Sequence, residues 1–246
     1  MGYHESLTEG RNAVLEAFRS GKTVDRLFVL DGCQDGPVKT ILREAKKQDT
    51  MVQYVKKERL DQLSETKNHQ GVIAYCAACE YAEVSDILEN AKKKGEAPFI
   101  VLLDGIEDPH NLGAIIRTAN QAGAHGVIIP KRRAVGLTAT VARTSAGAVN
   151  YTPVAKVTNL VTVMEDLKKE GMWLVCADMD GAEMYSLNLK GPIGLVIGNE
   201  GEGVSRLVKE HCDMVASIPM KGDIDSLNAS VAMGVLAYEI VRQRRF

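Results

Sequence analysis

The spacing of apolar positions changes along the chain, and the changes outline its elements. Leu7, Val14, Leu15 and Phe18 recur at helical intervals and Ser20-Gly21 follows, which predicts a helix from Glu5 to Arg19. Arg26 to Leu30 reads as a strand stopped by Asp31-Gly32, Val38 to Lys47 as a helix, and Met51–Val55 and Gly71–Cys76 as strands. From Glu83 a polar helix runs to Lys92-Lys93-Lys94-Gly95, with Pro98 beyond, a helix end followed by a connector. The expected division is a small α/β domain over 1–80, a flexible connector over 81–97 and a second domain over 98–246. The helix at 83–94 is assignable to either side.

The second part alternates more strongly. Phe99-Ile-Val-Leu-Leu103 is continuously apolar, as a strand buried on both faces of a parallel sheet must be. Similar runs follow at Gly126–Ile129, Trp173–Ala177, Ile193–Ile197 and Met214–Ile218. Helical patterns fill 111–123, 158–170 and 204–211, and a last helix spans about Leu227 to Arg242. This alternation predicts an α/β fold with a parallel sheet covered on both faces.

Composition narrows the classes. With 246 residues and 45% hydrophobic content the chain fills sizeable cores. No run approaches the ~18 apolar residues of a membrane span, and the segment from Met1 to Ser6 has no signal-peptide pattern, so a cytoplasmic protein away from membranes is expected. Five scattered cysteines fit reduced thiols; Cys76-Ala-Ala-Cys79 lacks a second pair and reads as structural. The five histidines show no metal-ligand spacing, and no metal is expected. Thirty basic and 32 acidic side chains give a net charge of -2, so any nucleic-acid surface is a local patch. Lys131-Arg132-Arg133 and the run Arg242-Gln243-Arg244-Arg245 are candidates, with solvated surface as the alternative for each.

Three loops after buried strands carry more polar residues than a turn needs, in the place where such sheets bind ligands. In the first, Asn111 follows a proline as a candidate helix N-cap, and Arg117 lies about 140° from the Leu112 stripe. A capped helix with a solvated arginine explains it equally. The second, Gly198-Asn-Glu-Gly-Glu-Gly203, is neither a dinucleotide fingerprint nor a phosphate loop. Its glycines allow close backbone approach, and Glu200 and Glu202 disfavour a phosphate; a flexible turn is the plain alternative. In the third, Ile218-Pro-Met leads to Ser226-Leu-Asn228, where Ser226 is a candidate cap and Asn228 a poor helix former.

Together the loops resemble the SpoU–TrmH family of RNA ribose 2'-O-methyltransferases. Asn111 with Arg117 matches the family's first motif, Gly198–Gly203 its second, and Ile218-Pro-Met with Ser226-Leu-Asn228 its third, so the likeness covers 98–246. The N-terminal unit resembles the small α/β/α ribosomal-protein-like RNA-binding domain of bacterial enzymes that methylate a guanosine of large-subunit rRNA. The stretch from Arg143 to Leu160 is similar to those enzymes as well.

The resemblance implies S-adenosylmethionine bound in a deep C-terminal trefoil knot, touching Ala177, Gly198, Ile218 and Leu227, and a homodimer formed through the knotted region. It places Asn111, Arg117, Glu200, Ser226 and Asn228 around a ribose 2'-hydroxyl of 23S rRNA. Because a guanidinium keeps its proton, Arg117 is expected to clamp a phosphate and stabilise the alkoxide while Glu200 orients its fork. The same chemistry on tRNA or another rRNA nucleotide is the near alternative, and a non-catalytic RNA-binding assembly factor the distant one.

Overall fold

A computed structural model describes residues 6–33, 35–223 and 226–246. They divide into two units, one holding the described residues through Glu80 with Gly136–Ala139, the other Tyr81–Val135 with Thr140–Phe246.

The smaller unit runs β1 (Ser6–Glu9), α1 (Arg11–Arg19), β2 (Val24–Leu30), α2 (Gly36–Lys47), β3 (Met51–Val55), α3 (Lys57–Leu63) and β4 (Val72–Cys76). Its sheet has the order β1-β4-β2-β3, with only β2 and β3 parallel. The expected helix from residue 5 is corrected: Glu5 lies outside the described residues, and residues 6–9 pair antiparallel with β4. Gly10, at φ 87°, separates that strand from α1. The pairing is tied down by Glu9, whose carboxylate accepts from the N–H groups of Glu65 (2.7 Å) and Thr66 (3.2 Å). Helix α3 was not foreseen, having a single buried residue, Leu60.

The larger unit runs α4 (Val84–Lys94), β5 (Phe99–Asp104), α5 (Pro109–Gln121), β6 (Gly126–Pro130), α6 (Ala139–Thr144, whose first residue groups with the smaller unit), β7 (Val154–Val157), α7 (Leu160–Lys169), β8 (Trp173–Glu183), β9 (Ile193–Gly198), α8 (Arg206–Glu210), β10 (Met214–Ser217) and α9 (Ala229–Arg245). Its six strands lie in the order β10-β8-β9-β5-β6-β7, all parallel. The two central strands are the continuous apolar runs: β9 is buried throughout, and β5 at every position but Asp104. Among the described residues no helix is long and apolar enough to cross a membrane.

The segment expected as a flexible connector is instead part of the larger unit. Ala82 donates to the Val154 carbonyl at 2.9 Å, and α4 buries Ile87 in the same core as Ile100, Leu102 and Met164. Gly126 lets Ile87 sit flat on β6; a β-carbon there would meet it at 2.6 Å. The start of β5 is fixed by His125, whose buried ring accepts from the Phe99 N–H at Nδ1 (3.0 Å), so its Nε2–H donates to Glu96 (3.0 Å). Burial pushes this imidazole below its ordinary value of 6.5 and outweighs the nearby Glu96 carboxylate.

Two outcomes follow. Ile87→Ala will lower the unfolding free energy by about 2–5 kcal/mol in denaturant titration, where a loose connector would register within ~0.5. His125 is neutral when folded and takes up a proton more readily when unfolded, so stability is lost as pH falls below ~6.5. Comparing unfolding midpoints at acidic and neutral pH will show that part of the loss disappear in His125→Gln.

Candidate active site

Strands β5 and β9 are neighbours, yet the chain leaves them in opposite directions across the sheet, toward β6 and β7 on one side and β8 and β10 on the other. Such a switch point opens a crevice outside the strands' carboxyl ends. Gly105–Asp108 follows β5 and Asn199–Gly203 follows β9. The second loop turns back on itself: Asn199 Oδ1 accepts from the N–H groups of Gly201 (2.9 Å) and Glu202 (2.6 Å), and the Gly203 N–H donates to the Asn199 carbonyl at 3.0 Å. The return is so tight that a β-carbon on Gly198 would meet the Gly203 carbonyl carbon at 2.0 Å. Asp104 Oδ2 accepts from the Ser205 N–H at 2.8 Å and joins the end of the loop to β5.

Helix α5 starts earlier than expected. Asp108 is its N-cap, accepting from His110 N–H at 3.0 Å, and Pro109 occupies the first turn, where a missing N–H costs nothing. Asn111 is therefore not a cap but a first-turn residue with its side chain available. Its Nδ2 donates to Glu200 Oε1 at 2.9 Å. At the start of α9 the cap is Asn228 rather than Ser226: its Oδ1 accepts from the N–H groups of Ser230 (3.0 Å) and Val231 (3.3 Å). That bond turns its amide nitrogen outward, where it donates to Asn111 Oδ1 (2.9 Å) and to the same Glu200 oxygen. One residue from each loop thus meets in a single hydrogen-bonded cluster.

Beside the cluster lies a cleft of ≈ 240 Å³ lined by Ala177, Gly198, Ile218 and Leu227, the four residues implied to touch the cofactor, with Ser226 at its edge. Ile197, Ala216 and Ala232 add apolar wall, and the backbone of 198–203 adds polar groups. Met220, the methionine of the third motif, lines it too, as does Met179, which no periodicity distinguishes from a surface methionine. Asp178 also faces the cleft. Partial burial works against its ionisation, but the Lys209 ammonium at 2.8 Å and the Asp180 N–H outweigh this and hold the carboxyl below its ordinary 3.8. A second cavity of ≈ 530 Å³ shares the 199–203 wall and includes Asn111 and Arg133.

Arg117 joins neither cavity. It is exposed on α5, six residues and about 240° around the helix from Asn111. Within one chain Glu200 orients two amides, not a guanidinium. The C-terminal basic run is partly engaged within the chain, although Arg245 is exposed. Arg242 pairs with Glu239 at 2.7 Å, and Arg244 donates to the carbonyls of Ala97, Pro98 and Gly191.

An apolar cleft beside a carboxamide–carboxylate cluster, built from three loops at a switch point, is the kind of place where such a sheet binds a small ligand. The family model for the SpoU rRNA methylase family matches residues 98–238, and that for RNA 2'-O ribose methyltransferase substrate binding matches 7–82. The chain belongs to the SpoU family and is an RNA 2'-O-ribose methyltransferase. It is 49% identical to YacO of Bacillus subtilis (strain 168), assigned to the TrmH family of tRNA/rRNA methyltransferases, over 96% of this chain and 94% of that one. A TrmH-family relative from Staphylococcus haemolyticus is 46% identical over 96% and 94%. Among solved structures it is similar to the SpoU methyltransferase AviRb from Streptomyces viridochromogenes in complex with AdoMet. That match has a TM-score of 0.62 and 28% identity, covering 98% of this chain and 91% of that one.

The loop geometry is directly testable. Gly198→Ala will cost about 1–3 kcal/mol in chemical denaturation, because backbone must move to admit the methyl group. Gly201→Ala, whose β-carbon meets nothing nearer than 3.7 Å, will stay within ~0.5 kcal/mol.

Proposed function

We propose that this enzyme transfers a methyl group from S-adenosylmethionine to the ribose 2'-oxygen of a guanosine in large-subunit (23S) rRNA, with 98–246 as the catalytic domain and 1–80 as the unit that selects the RNA. The observation that carries the reading is the Asn111–Glu200–Asn228 cluster at the mouth of the apolar cleft. The cleft suits the cofactor. Ile218 and Leu227 offer an apolar wall for adenine, and the glycine-rich loop at 198–203 lets a ligand approach the backbone closely. AviRb and an rRNA methyltransferase from Sinorhizobium meliloti carry AdoMet in their solved structures, which supports the same cofactor here. When bound, the cofactor supplies an electrophilic methyl carbon on a sulfonium.

The chain's own task is to hold a weak nucleophile in line and to stabilise charge forming on its oxygen. Asn111 keeps one amide hydrogen for the oxygen that gains charge, and its orientation is fixed by Glu200 and by Asn228, whose two amide hydrogens go to Asn111 and Glu200, so little reorganisation is needed as the hydroxyl passes its proton to solvent water. Glu200 uses one oxygen for both amides and keeps the other for a further donor. Ser226, which lines the cleft, would contact the ribose or cofactor. Arg117 enters from a second copy of the chain. The support is its position: it lies beside the close approach of α5 to α9, where Gly234 faces Thr118. Val231 and Tyr238 stand exposed one above the other on α9 and offer an apolar face for a partner. The convergence of 177–179, 197–203, 216–220 and 226–229 on one cleft supports the knotted path implied by the family.

The test uses tritiated S-adenosylmethionine with rRNA and tRNA purified from a strain lacking the protein, followed by mapping of 2'-O-methyl groups. Label on a 23S guanosine is expected; label confined to tRNA would reassign the substrate, and label nowhere would remove the activity. Asn111→Ala and Asn228→Ala are expected to lose roughly 10²-fold in kcat. Mixing Arg117→Ala with Asn228→Ala protein will restore part of the activity if the arginine acts across the dimer.

A further inference from the structure

We infer that Arg133, outside the three motifs, grips the RNA phosphate next to the target ribose. The inference rests on the methyl-transfer reading and adds a substrate-binding residue to it. Arg133 lines the ≈ 530 Å³ cavity that shares Asn111, Glu200 and the 199–203 loop with the catalytic cluster. The charged side chains around that cavity are otherwise carboxylates: Asp104, Glu107, Asp108, Glu200 and Glu202. A phosphodiester can approach such a wall only where a cation offsets it, and among the described lining residues Arg133 is that cation. Its guanidinium forms no ion pair or hydrogen bond with any described residue. Three of those carboxylates are engaged by neutral donors instead: Asp104 by the Ser205 N–H, Asp108 by the His110 N–H, Glu200 by the two amides. The planar fork is therefore free to take two phosphate oxygens.

The backbone is built for this placement. Arg133 sits at φ 53°, a left-handed conformation that a residue with a β-carbon adopts at a cost and that persists only when its surroundings impose it. The surroundings are visible. Ala134 is 9% exposed, and the Val135 N–H donates to the Ile106 carbonyl at 3.0 Å, tying this turn to the loop after β5. Arg132 lies one residue earlier on the same turn and lines neither of these two cavities. The Lys131-Arg132-Arg133 run is thus resolved into one arginine aimed at the reaction site and neighbours that are not.

The experiment compares wild type with Arg133→Gly and Arg133→Lys, using tritiated S-adenosylmethionine and rRNA from the deletion strain at several salt concentrations. Glycine removes the cation and fits the left-handed turn, so loss of RNA affinity with an unchanged or raised thermal midpoint separates binding from folding. On the order of a tenfold rise in KM for RNA is expected, with a salt dependence shallower by about 0.7–1 in log–log slope and an unchanged dissociation constant for S-adenosylhomocysteine. Arg133→Lys keeps the charge and is expected to keep the slope while recovering only part of the affinity; it also carries the test if the glycine variant folds poorly. A wild-type KM and slope in both variants would overturn the assignment. Absence of methyl transfer by the wild type would instead overturn the reading on which it rests.

Discussion

The return of the loop after β9 onto its own start is the constraint on which the site depends. Gly198 lies against the Gly203–Val204 backbone with no room for a β-carbon, so the four residues between Gly198 and Gly203 must bulge outward as one compact turn. Asn199 closes that turn from inside by accepting two N–H groups. Glu200 is thereby thrust toward α5 and α9, and the backbone of 198–203 becomes a wall shared by two cavities. A looser loop would leave the carboxylate in solvent, where it would orient nothing.

The amides that meet Glu200 are placed by secondary structure rather than by loops alone. Asn228 caps α9, a helix of 17 residues packed beside α5, and its oxygen is committed to that cap. Its nitrogen must then face the crevice. Asn111 is carried by the first turn of α5, whose direction is set by Asp108 and Pro109. The reactive geometry therefore inherits the rigidity of two helices packed against each other, which is how an enzyme holds polar groups ready without reorganisation. Asn228 joins two roles in one side chain: replacing it removes a helix cap, itself worth about 1 kcal/mol, as well as the link that holds Asn111 and Glu200 together.

The central strands were legible because burial on both faces leaves an unbroken apolar run, and the parallel sheet followed from their alternation with helices. Elements with a weaker apolar signal were not: α3 buries only Leu60, and β1 was read as helix because Leu7 falls at helical spacing from Val14. Propensity cannot see the strand partner, sixty-odd residues away, that decides the matter. The start of α5 was misjudged by three residues because Asp108-Pro109 supplies a cap and first turn before the apolar stripe begins. In the site, the loops were visible as polar, glycine-rich excess after buried strands, while the roles came from resemblance. The Asn111–Asn228 contact joins residues 117 apart, and no spacing rule reaches that far. Charge runs were equally blunt: the sequence marks Arg132, Arg133 and Arg244 alike, and only the fold separates a solvated arginine, one lining the crevice and one holding three carbonyls.

A chain with a net charge of -2 must bind a polyanion through local contrast, and the crevice supplies that contrast by repulsion as much as attraction. Three of its five carboxylates are held by backbone N–H groups and amides, which stabilise the ionised oxygens but leave their charge uncancelled. A phosphate backbone laid along this wall meets unfavourable charge at nearly every point. The approaches that survive are those that turn the sugar edge inward and keep phosphates at the cationic rim. Since the reacting atom is a ribose oxygen, orientation is what the site must select, and a wall that rejects the wrong orientations does so without strengthening ground-state binding.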